Sequence, residues 1–311
     1  MNMNVLQLRH FIVVAQTLHF GKAAEQLNMT QPPLSQSIRA LEKSLGAPLF
    51  VRSKRSVALT PFGAQWLPHV RETLDGVDAL ATIARRIRTG TSGRLDFSFV
   101  STVDYGLLPK LVHRFRELYP DVELGLTEAT SDVQITALLE GKSHAGIIIP
   151  HREAPLPATL SYLPLASEPL IAVVPEGWLK DGRLASIDGS LSANGVVSSP
   201  LIVFPRRVAP SFHDLVTEYY AACGGRVRIA QHAIQMQTII SLVSAGMGIA
   251  LVPASLRNLA RPGVRYLDLK KAPPKLETWV AWRRDDETPT LVNFLQVVTQ
   301  LRTFSEDVTA S

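Results

Sequence analysis

Cysteine is nearly absent. One residue of 311, Cys223, carries a thiol. No disulfide can therefore close within the chain, and a reducing cytoplasm is its expected home. Long apolar runs are missing too. The longest, such as Phe11 to Ala15 and Gly248 to Pro253, fall far short of the ~20 residues a spanning helix needs, so no membrane role is expected. The N-terminus has no basic start and no small-residue cleavage site, and Gln7, Arg9 and His10 interrupt it; no secretory leader is read there. The eight histidines are scattered, without His-x-x-x-His or Cys-x-x-Cys spacing, and no metal site is expected. No glycine-rich phosphate loop of the usual forms occurs. Asp285-Asp286-Glu287 is acidic but follows a strand pattern, as a surface turn does. Without a poised nucleophile or a metal cluster, the chain is not expected to be an enzyme or to carry a cofactor.

What is present is a folded composition, 46% hydrophobic and 19% charged, in a chain long enough for two or three domains. Its charge is unevenly placed. Residues 1–60 hold Arg9, Lys22, Arg39, Lys43, Arg52, Lys54 and Arg55 against Glu25 and Glu42, which is the whole net charge of +5. A basic head on a nearly neutral body suits a phosphate backbone.

The head reads as three helices and a ribbon. Leu6, Leu8, Phe11, Ile12, Val14 and Ala15 follow a helical period over Val5 to Thr17. Lys22 to Asn28 forms a second short helix, and Met29-Thr30-Gln31 a turn. Thr30 is the expected cap of a third helix, which starts at the Pro32-Pro33 pair and stops at Gly46. Leu34, Ile38, Leu41 and Leu45 give that helix a buried stripe and leave Ser35, Gln36 and Arg39 outward. Glutamine can bond adenine and arginine can bond guanine bidentately. Leu49 to Val51 and Val57 to Leu59 then flank a basic tip, Arg52-Ser53-Lys54-Arg55-Ser56. This is the layout of a winged helix-turn-helix, whose second helix enters the major groove.

From Thr60 and Pro61 to about Arg88 a long linker helix is expected. Its apolar residues Phe62, Trp66, Val70, Leu74, Val77, Leu80, Ile83 and Ile87 step by three and four, as in a coiled coil. Dimerisation through Trp66, Val70, Leu74, Val77 and Leu80 is the expected use, and Pro68 should bend the helix. Thr89 to Gly93 reads as a flexible hinge. Strand and helix patterns alternate beyond it: strands over Arg94–Val100, Val122–Glu128, Ala145–Ile149, Leu170–Val174, Leu201–Phe204, Val227–Ala230, Ile249–Val252 and Thr278–Trp282, and helices over Gly106–Leu118, Ser131–Leu139, Phe212–Ala222, Gln235–Ala245 and Leu291–Phe304. Such alternation implies a mainly parallel sheet. Ser101-Thr102 and Thr130-Ser131 stand at strand-to-helix corners on one sheet edge, where hydroxyls and helix amides can cradle a carboxylate.

The chain resembles the LysR-type transcriptional regulators. The resemblance rests on Leu8-Arg9-His10-Phe11, Ala23-Ala24-Glu25-Gln26-Leu27, Gln31-Pro32-Pro33-Leu34-Ser35, Ile38-Arg39-Ala40-Leu41-Glu42, Leu45-Gly46, Leu49-Phe50-Val51-Arg52 and Leu59-Thr60-Pro61-Phe62-Gly63. It implies DNA contacts at Gln31, Pro32, Ser35, Gln36, Arg39, Arg52, Lys54 and Arg55. The implied fold class is α+β and α/β: a winged helix-turn-helix over 1–60, a dimerisation helix over 61–89, a hinge over 90–94, and a two-lobed periplasmic-binding-protein-like α/β sensor domain over 95–311. One lobe comprises 95–166 and 270–311, the other 167–269. The implied partners are double-stranded promoter DNA, a second copy of the chain in a homodimer or homotetramer, RNA polymerase as a candidate, and a small organic acid held between the lobes. Tyr105-Gly106-Leu107-Leu108-Pro109, Phe204-Pro205-Arg206-Arg207, Pro210-Ser211-Phe212 and Val252-Pro253-Ala254-Ser255 resemble the branch controlling aromatic-compound catabolism. That likeness implies an aromatic or unsaturated carboxylate, with Thr102, Ser131 and Phe204 as its contacts by position; Ser101, Thr130 and Pro205, from the same corners, complete the expected effector site. Asp104 departs from the branch, where an apolar residue is usual. It can repel an anion or hold a cation, and Arg206 and Arg207 are candidates to offset it. A stand-alone small-molecule binding protein without a DNA role is the alternative; the basic head weighs against it.

Overall fold

The computed structural model describes residues 3–53, 56–151 and 155–309, the last seven of these by backbone alone. Lys54 and Arg55, two of the expected DNA contacts, lie outside the described residues. The chain divides into two compact units, residues 1–86 and 87–311.

The first unit contains α1 (Val5–Thr17), α2 (Phe20–Gln26), α3 (Gln31–Leu45), β1 (Phe50–Arg52), β2 (Val57–Leu59) and most of α4 (Pro61–Arg88). Asn4 and Gln7 cap α1 reciprocally: Gln7 N donates to Asn4 Oδ1 at 2.9 Å and Asn4 N to Gln7 Oε1 at 3.2 Å. His19 caps α2, its Nδ1 accepting from Gly21 N and Lys22 N, so this helix starts before the expected Lys22. Thr30 stands at the N-cap of α3, yet its side chain makes no capping bond. The reason is local. An N-cap oxygen accepts from the second or third helical amide, and in α3 both positions are proline, Pro32 and Pro33, which have no N–H.

Phe11, Leu34, Ile38, Leu41 and Leu49 are fully buried in one core. Phe11 stacks obliquely on Phe50 and Trp66, with centroids 5.6 and 5.2 Å away. Glu42 fastens the ribbon to α3, because its Oε1 accepts from Leu49 N at 2.8 Å and Phe50 N at 3.2 Å. Thr60 opens α4 by accepting from Gly63 N at 2.9 Å. Gly63 is required there: a Cβ would lie 2.4 Å from the Leu49 carbonyl oxygen.

The same core corrects the expected dimer seam. Val70 and Leu74 are 2% and 5% exposed inside it, and Trp66 packs against it. The first turns of α4 thus spend their apolar stripe on their own head. Exposed apolar residues resume at Leu80, Ile83 and Ile87, with Val77 half-buried between the two sets. A three-four spacing states that a stripe needs cover, not which surface supplies it. The helix also runs unbroken through Pro68.

The second unit opens with β3 (Ser92–Phe99), α5 (Leu107–Leu118), β4 (Asp121–Glu128), α6 (Ser131–Leu139) and β5 (Ala145–Ile148). Then follow β6 (Leu160–Pro175), α7 (Glu176–Lys180), β7 (Ser186–Ile187), β8 (Ser190–Leu191), α8 (Ala193–Ser198), β9 (Leu201–Val203), α9 (Pro210–Ala222), β10 (Ile229–His232), α10 (Met236–Ser244), β11 (Ala250–Pro253), β12 (Val264–Leu269), β13 (Lys275–Arg283) and α11 (Pro289–Thr309). Strand β3 pairs in parallel with β4 and β5. Antiparallel β13 joins β5 to β6, and the far end of β6 pairs with β11 and β12. A separate parallel pair is formed by β9 and β10.

Two large apolar cores result, with a smaller cluster of Leu138, Ile148, Leu160 and Ala281. Leu95, Phe97, Phe115, Ile147 and Phe294 belong to one large core, and Val173, Ile202, Val216, Ile240 and Leu251 to the other. Strand β6 runs between them without interruption, so the expected lobe boundary at 166–167 falls inside a strand. The sequence reading recovered only its Leu170–Val174 end and missed β12. Pro164 and Pro169 obscure the first half of β6. The structure accommodates Pro164 beside a register shift between Thr278 and Trp279, the kind of place a sheet admits proline.

The segment expected as a hinge is bonded into the second unit. Ser92 and Gly93 belong to β3. Asn293 Nδ2 of α11 donates to the carbonyls of Thr89 and Gly90 at 2.9 and 3.0 Å. Gly90 has φ +66°, and a Cβ on it would meet the Pro289 carbonyl at 2.5 Å. Here glycine marks a tight, fixed passage.

Candidate DNA-binding face and ligand cavity

The outer side of α3 carries Gln31, Pro32, Gln36 and Arg39, all exposed, with Ser35 half-buried beside them. This helix is held from beneath by its apolar stripe and by a buried polar contact: His10 Nδ1 lies 2.8 Å from Ser37 Oγ. His10 is 5% exposed, and burial pushes its imidazole below the usual histidine range. The contact fixes α3 against α1 and was not foreseen. Arg52, expected on the wing as a DNA contact, is engaged within the head. Its guanidinium lies 3.4 Å from Glu42 Oε2 and 4.4 Å above the Phe20 ring. Ribbon strands β1 and β2 pair Phe50 with Leu59 and Arg52 with Val57, and Ser53 N donates to the Ser56 carbonyl at 2.9 Å to close the tip.

The second unit holds a cavity of about 510 Å³ between its two large apolar cores. Ser101, Thr102, Thr130, Ser131 and Phe204 all line it, as the sequence reading expected. Pro205 does not; its carbonyl instead accepts from Val208 N and Ala209 N and turns the chain into α9. Thr102 sits in a 3-10 turn, Ser101–Val103, that follows β3. It is 2% exposed and its hydroxyl has no partner, although buried hydroxyls are nearly always bonded. Ser131 Oγ accepts from Ile149 N at 3.0 Å, which leaves its own hydrogen available. Gln134 Nε2 donates to the Ala129 carbonyl at 2.8 Å and so steadies the corner between β4 and α6.

Three helices point their N-termini at this space. Thr130-Ser131 of α6, Ala209-Pro210-Ser211 of α9 and Gln235 before α10 all belong to its lining, and none of the three helices has a side-chain cap. Their first-turn amides, proline apart, therefore have no side-chain acceptor, and the ends of these helices line the cavity. The body of the cavity is apolar, with Ile135, Ile149, Leu156, Phe204, Phe212 and Ile234 among its walls. Phe204 and Phe212 meet edge to face at 5.5 Å.

The carboxylates of the described lining are two, Glu128 and Asp132, beside one histidine, His151, and this lining contains no lysine or arginine. Asp104 lies just outside the lining, with one carboxylate oxygen buried and unpartnered. Burial, and then the neighbouring Glu128 carboxylate, raise its pKa to about 6. Arg206 does not offset Asp104, because it makes a two-pronged ion pair with Asp214, 2.8 Å on each side; Arg207 is exposed and outside the lining. The Tyr105–Pro109 and Val252–Ser255 segments meet in space: Asn258 Nδ2 donates to the Tyr105 carbonyl at 2.7 Å, and a Cβ on Gly106 would fall 2.8 Å from that of Ser255. The Pro210-Ser211-Phe212 corner is legible in the sequence, whereas the acidic residues of the lining and the α10 terminus are not. Glu128 ends a strand whose position beside Ser101 depends on the β3–β4 register. The described residues hold no group of three or more His, Cys, Asp or Glu that could bind a metal, and none of their helices is long and apolar enough to cross a membrane.

Comparison with known proteins places both units. Residues 5–64 match the model of the bacterial regulatory helix-turn-helix protein, LysR family, and residues 88–302 match the LysR substrate binding domain. The chain is 60% identical over 298 residues to the HTH-type transcriptional regulator IlvR of Caulobacter vibrioides, covering 96% of this chain and 98% of that protein. It is 34% identical over 296 residues to the HTH-type transcriptional regulator AlsR of Bacillus subtilis, covering 95% of each. Among solved structures, full-length CbnR complexed with its target DNA has 27% identity and a TM-score of 0.82, covering 96% of this chain and all of that one. With a matching head, a matching body and relatives that are named regulators and not enzymes, the chain belongs to the LysR family and is a DNA-binding transcriptional regulator.

Proposed function

We propose that this regulator binds its promoter through Gln31, Pro32, Ser35, Gln36 and Arg39 of α3, together with the wing residues Arg52, Lys54 and Arg55. In this reading a small carboxylate with an apolar, aromatic or unsaturated body controls that binding from the cavity. The observation that carries the effector reading is Thr102, a lining residue with a buried and unpartnered hydroxyl, in an apolar cavity that the ends of three helices without side-chain caps also line. An anion satisfies such donors, and Phe204 and Phe212 offer the apolar contact. On the DNA side, Gln36 and Arg39 carry the sequence readout, because Arg52 already braces the wing. The exposed Leu80, Ile83 and Ile87 of α4 call for a second copy of the chain, and a pair of heads suits a two-fold symmetric site. The assembly is proposed as a homodimer that can pair into a homotetramer.

The test joins two measurements. A thermal-shift screen of small carboxylates on the full chain finds the effector, since a ligand that binds the folded state raises its melting temperature with concentration. A gel shift with the DNA upstream of its own gene and of adjacent genes, with and without each hit, then reads the coupling. Promoter binding that no stabilising carboxylate alters would break the effector reading while leaving the DNA reading intact.

A further inference from the structure

The cavity described above has two features that a simple carboxylate leaves unexplained. Its described lining holds Glu128 and Asp132 and no lysine or arginine. Its first-lobe wall also places Glu128 next to the hydroxyl-bearing corner. In the β3–β4 register Glu128 pairs with Phe99, and Ala129 N donates to the Phe99 carbonyl at 3.0 Å. Glu128 therefore ends its strand beside the end of β3, two residues before the turn that carries Ser101 and Thr102, and lines the same cavity. The electrostatic coupling of Glu128 to Asp104 shows the same proximity. A plain anion brought to Thr102 would meet these negative charges with no described cation to offset them.

We propose that the effector is an apolar α-amino acid, held as a zwitterion. This rests on the carboxylate reading of the cavity and narrows it. The ligand carboxylate takes the Thr102 hydroxyl and the open amides of the helix N-termini. Its ammonium is met by Glu128, with Asp132 on the same wall. Its side chain lies against Phe204, Phe212 and Ile149. The adjacency of Glu128 to the Thr102 turn favours an α-amino acid, whose two charges sit on neighbouring atoms, over an acid with a remote amine. Thr102 is the independent sign of a ligand: the residue is 2% exposed and part of the wall, and its hydroxyl has no partner.

The experiment is calorimetric titration of the full chain with matched probes. L-leucine and L-phenylalanine are set against 4-methylpentanoate and 3-phenylpropanoate, which keep the side chain and carboxylate and lack the ammonium, and against benzoate. The same titrations are run on Glu128→Gln and Thr102→Val, with circular dichroism melts to verify that each variant is folded. The proposal expects at least one of the amino acids to bind at least tenfold tighter than its deaminated partner. It expects Glu128→Gln to erase that preference by weakening the amino acid alone, and Thr102→Val to weaken both series. Equal binding of amino acid and deaminated acid, or amino-acid binding indifferent to Glu128→Gln, overturns the ammonium subsite and leaves the carboxylate reading standing. Binding of benzoate with no response to either amino acid does the same. Failure of every probe on folded wild-type protein overturns both.

Discussion

In the head, Phe11, Ile38 and Leu74 reach one core from helices α1, α3 and α4, and each contact is made within a stretch of about eighty residues. In the body, Lys275 pairs with Pro169 and Trp282 with Ser161, so the sheet closes only when distant strands meet. The head is specified by helical periodicity and short turns, the body by strand register. The difference extends to function. The head's proposed DNA-reading face is mainly the solvent side of a single helix, set by the stripe opposite it. The body's proposed effector cavity is assembled from six or more segments that no single pattern links.

The largest expected effect lies at the point where periodicity was ambiguous. Leu74 is 5% exposed within the head and Leu80 is 59% exposed. Leu74→Ala should destabilise the head by roughly 2–5 kcal/mol, as buried leucine truncations do, whereas Leu80→Ala should leave folding within about 0.5 kcal/mol and instead reduce dimer mass. Urea unfolding and light scattering on both variants separate the two roles. A Leu74→Ala protein as stable as wild type would return that residue to the seam.

For the cavity, Thr102→Val should cost about 1.5–3 kcal/mol of affinity for a charged effector, the range for a hydrogen bond to a charged group. The ligand-free protein should melt no lower than wild type, because the hydroxyl has no partner to lose. A lowered melting temperature together with unchanged effector affinity would show that the hydroxyl serves the fold. In the head, Arg39→Ala should weaken promoter binding by roughly 1–3 kcal/mol if that side chain reads a base, with little change for unrelated DNA. Equal weakening on both DNAs, measured by anisotropy at one salt concentration, would reduce Arg39 to a phosphate contact.

The smallest effect concerns Asp104. Its pKa rises from 3.8 to about 6 through burial and the Glu128 charge. Between those values the folded state keeps a proton that the unfolded state has lost, so stability falls as pH rises and the cost is complete above about 6. Asp104→Asn should match wild type near pH 3.5 and melt higher near pH 7. Because the group is only half-buried, the gain should be small. A difference that stays flat across this range would deny the shift.

Much of the head was legible because its signals are local. The period of Leu34, Ile38 and Leu41 locates α3 and its outer face, and Gly46 locates its end. The misreadings there were local as well. Thr30 could not cap because Pro32 and Pro33 offer no amide, a fact present in the sequence. The His10–Ser37 contact was not legible, since it joins two helices whose crossing no pattern states. In the body, the corners at Ser101-Thr102 and Thr130-Ser131 followed from strand-then-helix alternation. The corner at Pro210-Ser211-Phe212 was legible in the same way, but the cavity that all three share, its acidic residues and the α10 terminus were not.

The sequence by itself determined the elements that depend on neighbours along the chain: the helix-turn-helix, the basic head, the alternating strands and helices, and the family they resemble. Only the tertiary structure decided which surface covers an apolar stripe, so that Val70 and Leu74 face their own head while Leu80 faces outward. It also decided that Thr89 and Gly90 are clamped by Asn293, and that Glu128 stands beside Thr102. The physical reason is common to all three. Periodicity and turn chemistry fix what a segment needs to bury or bond, while the partner that meets the need is chosen by the packing of segments far apart in the chain.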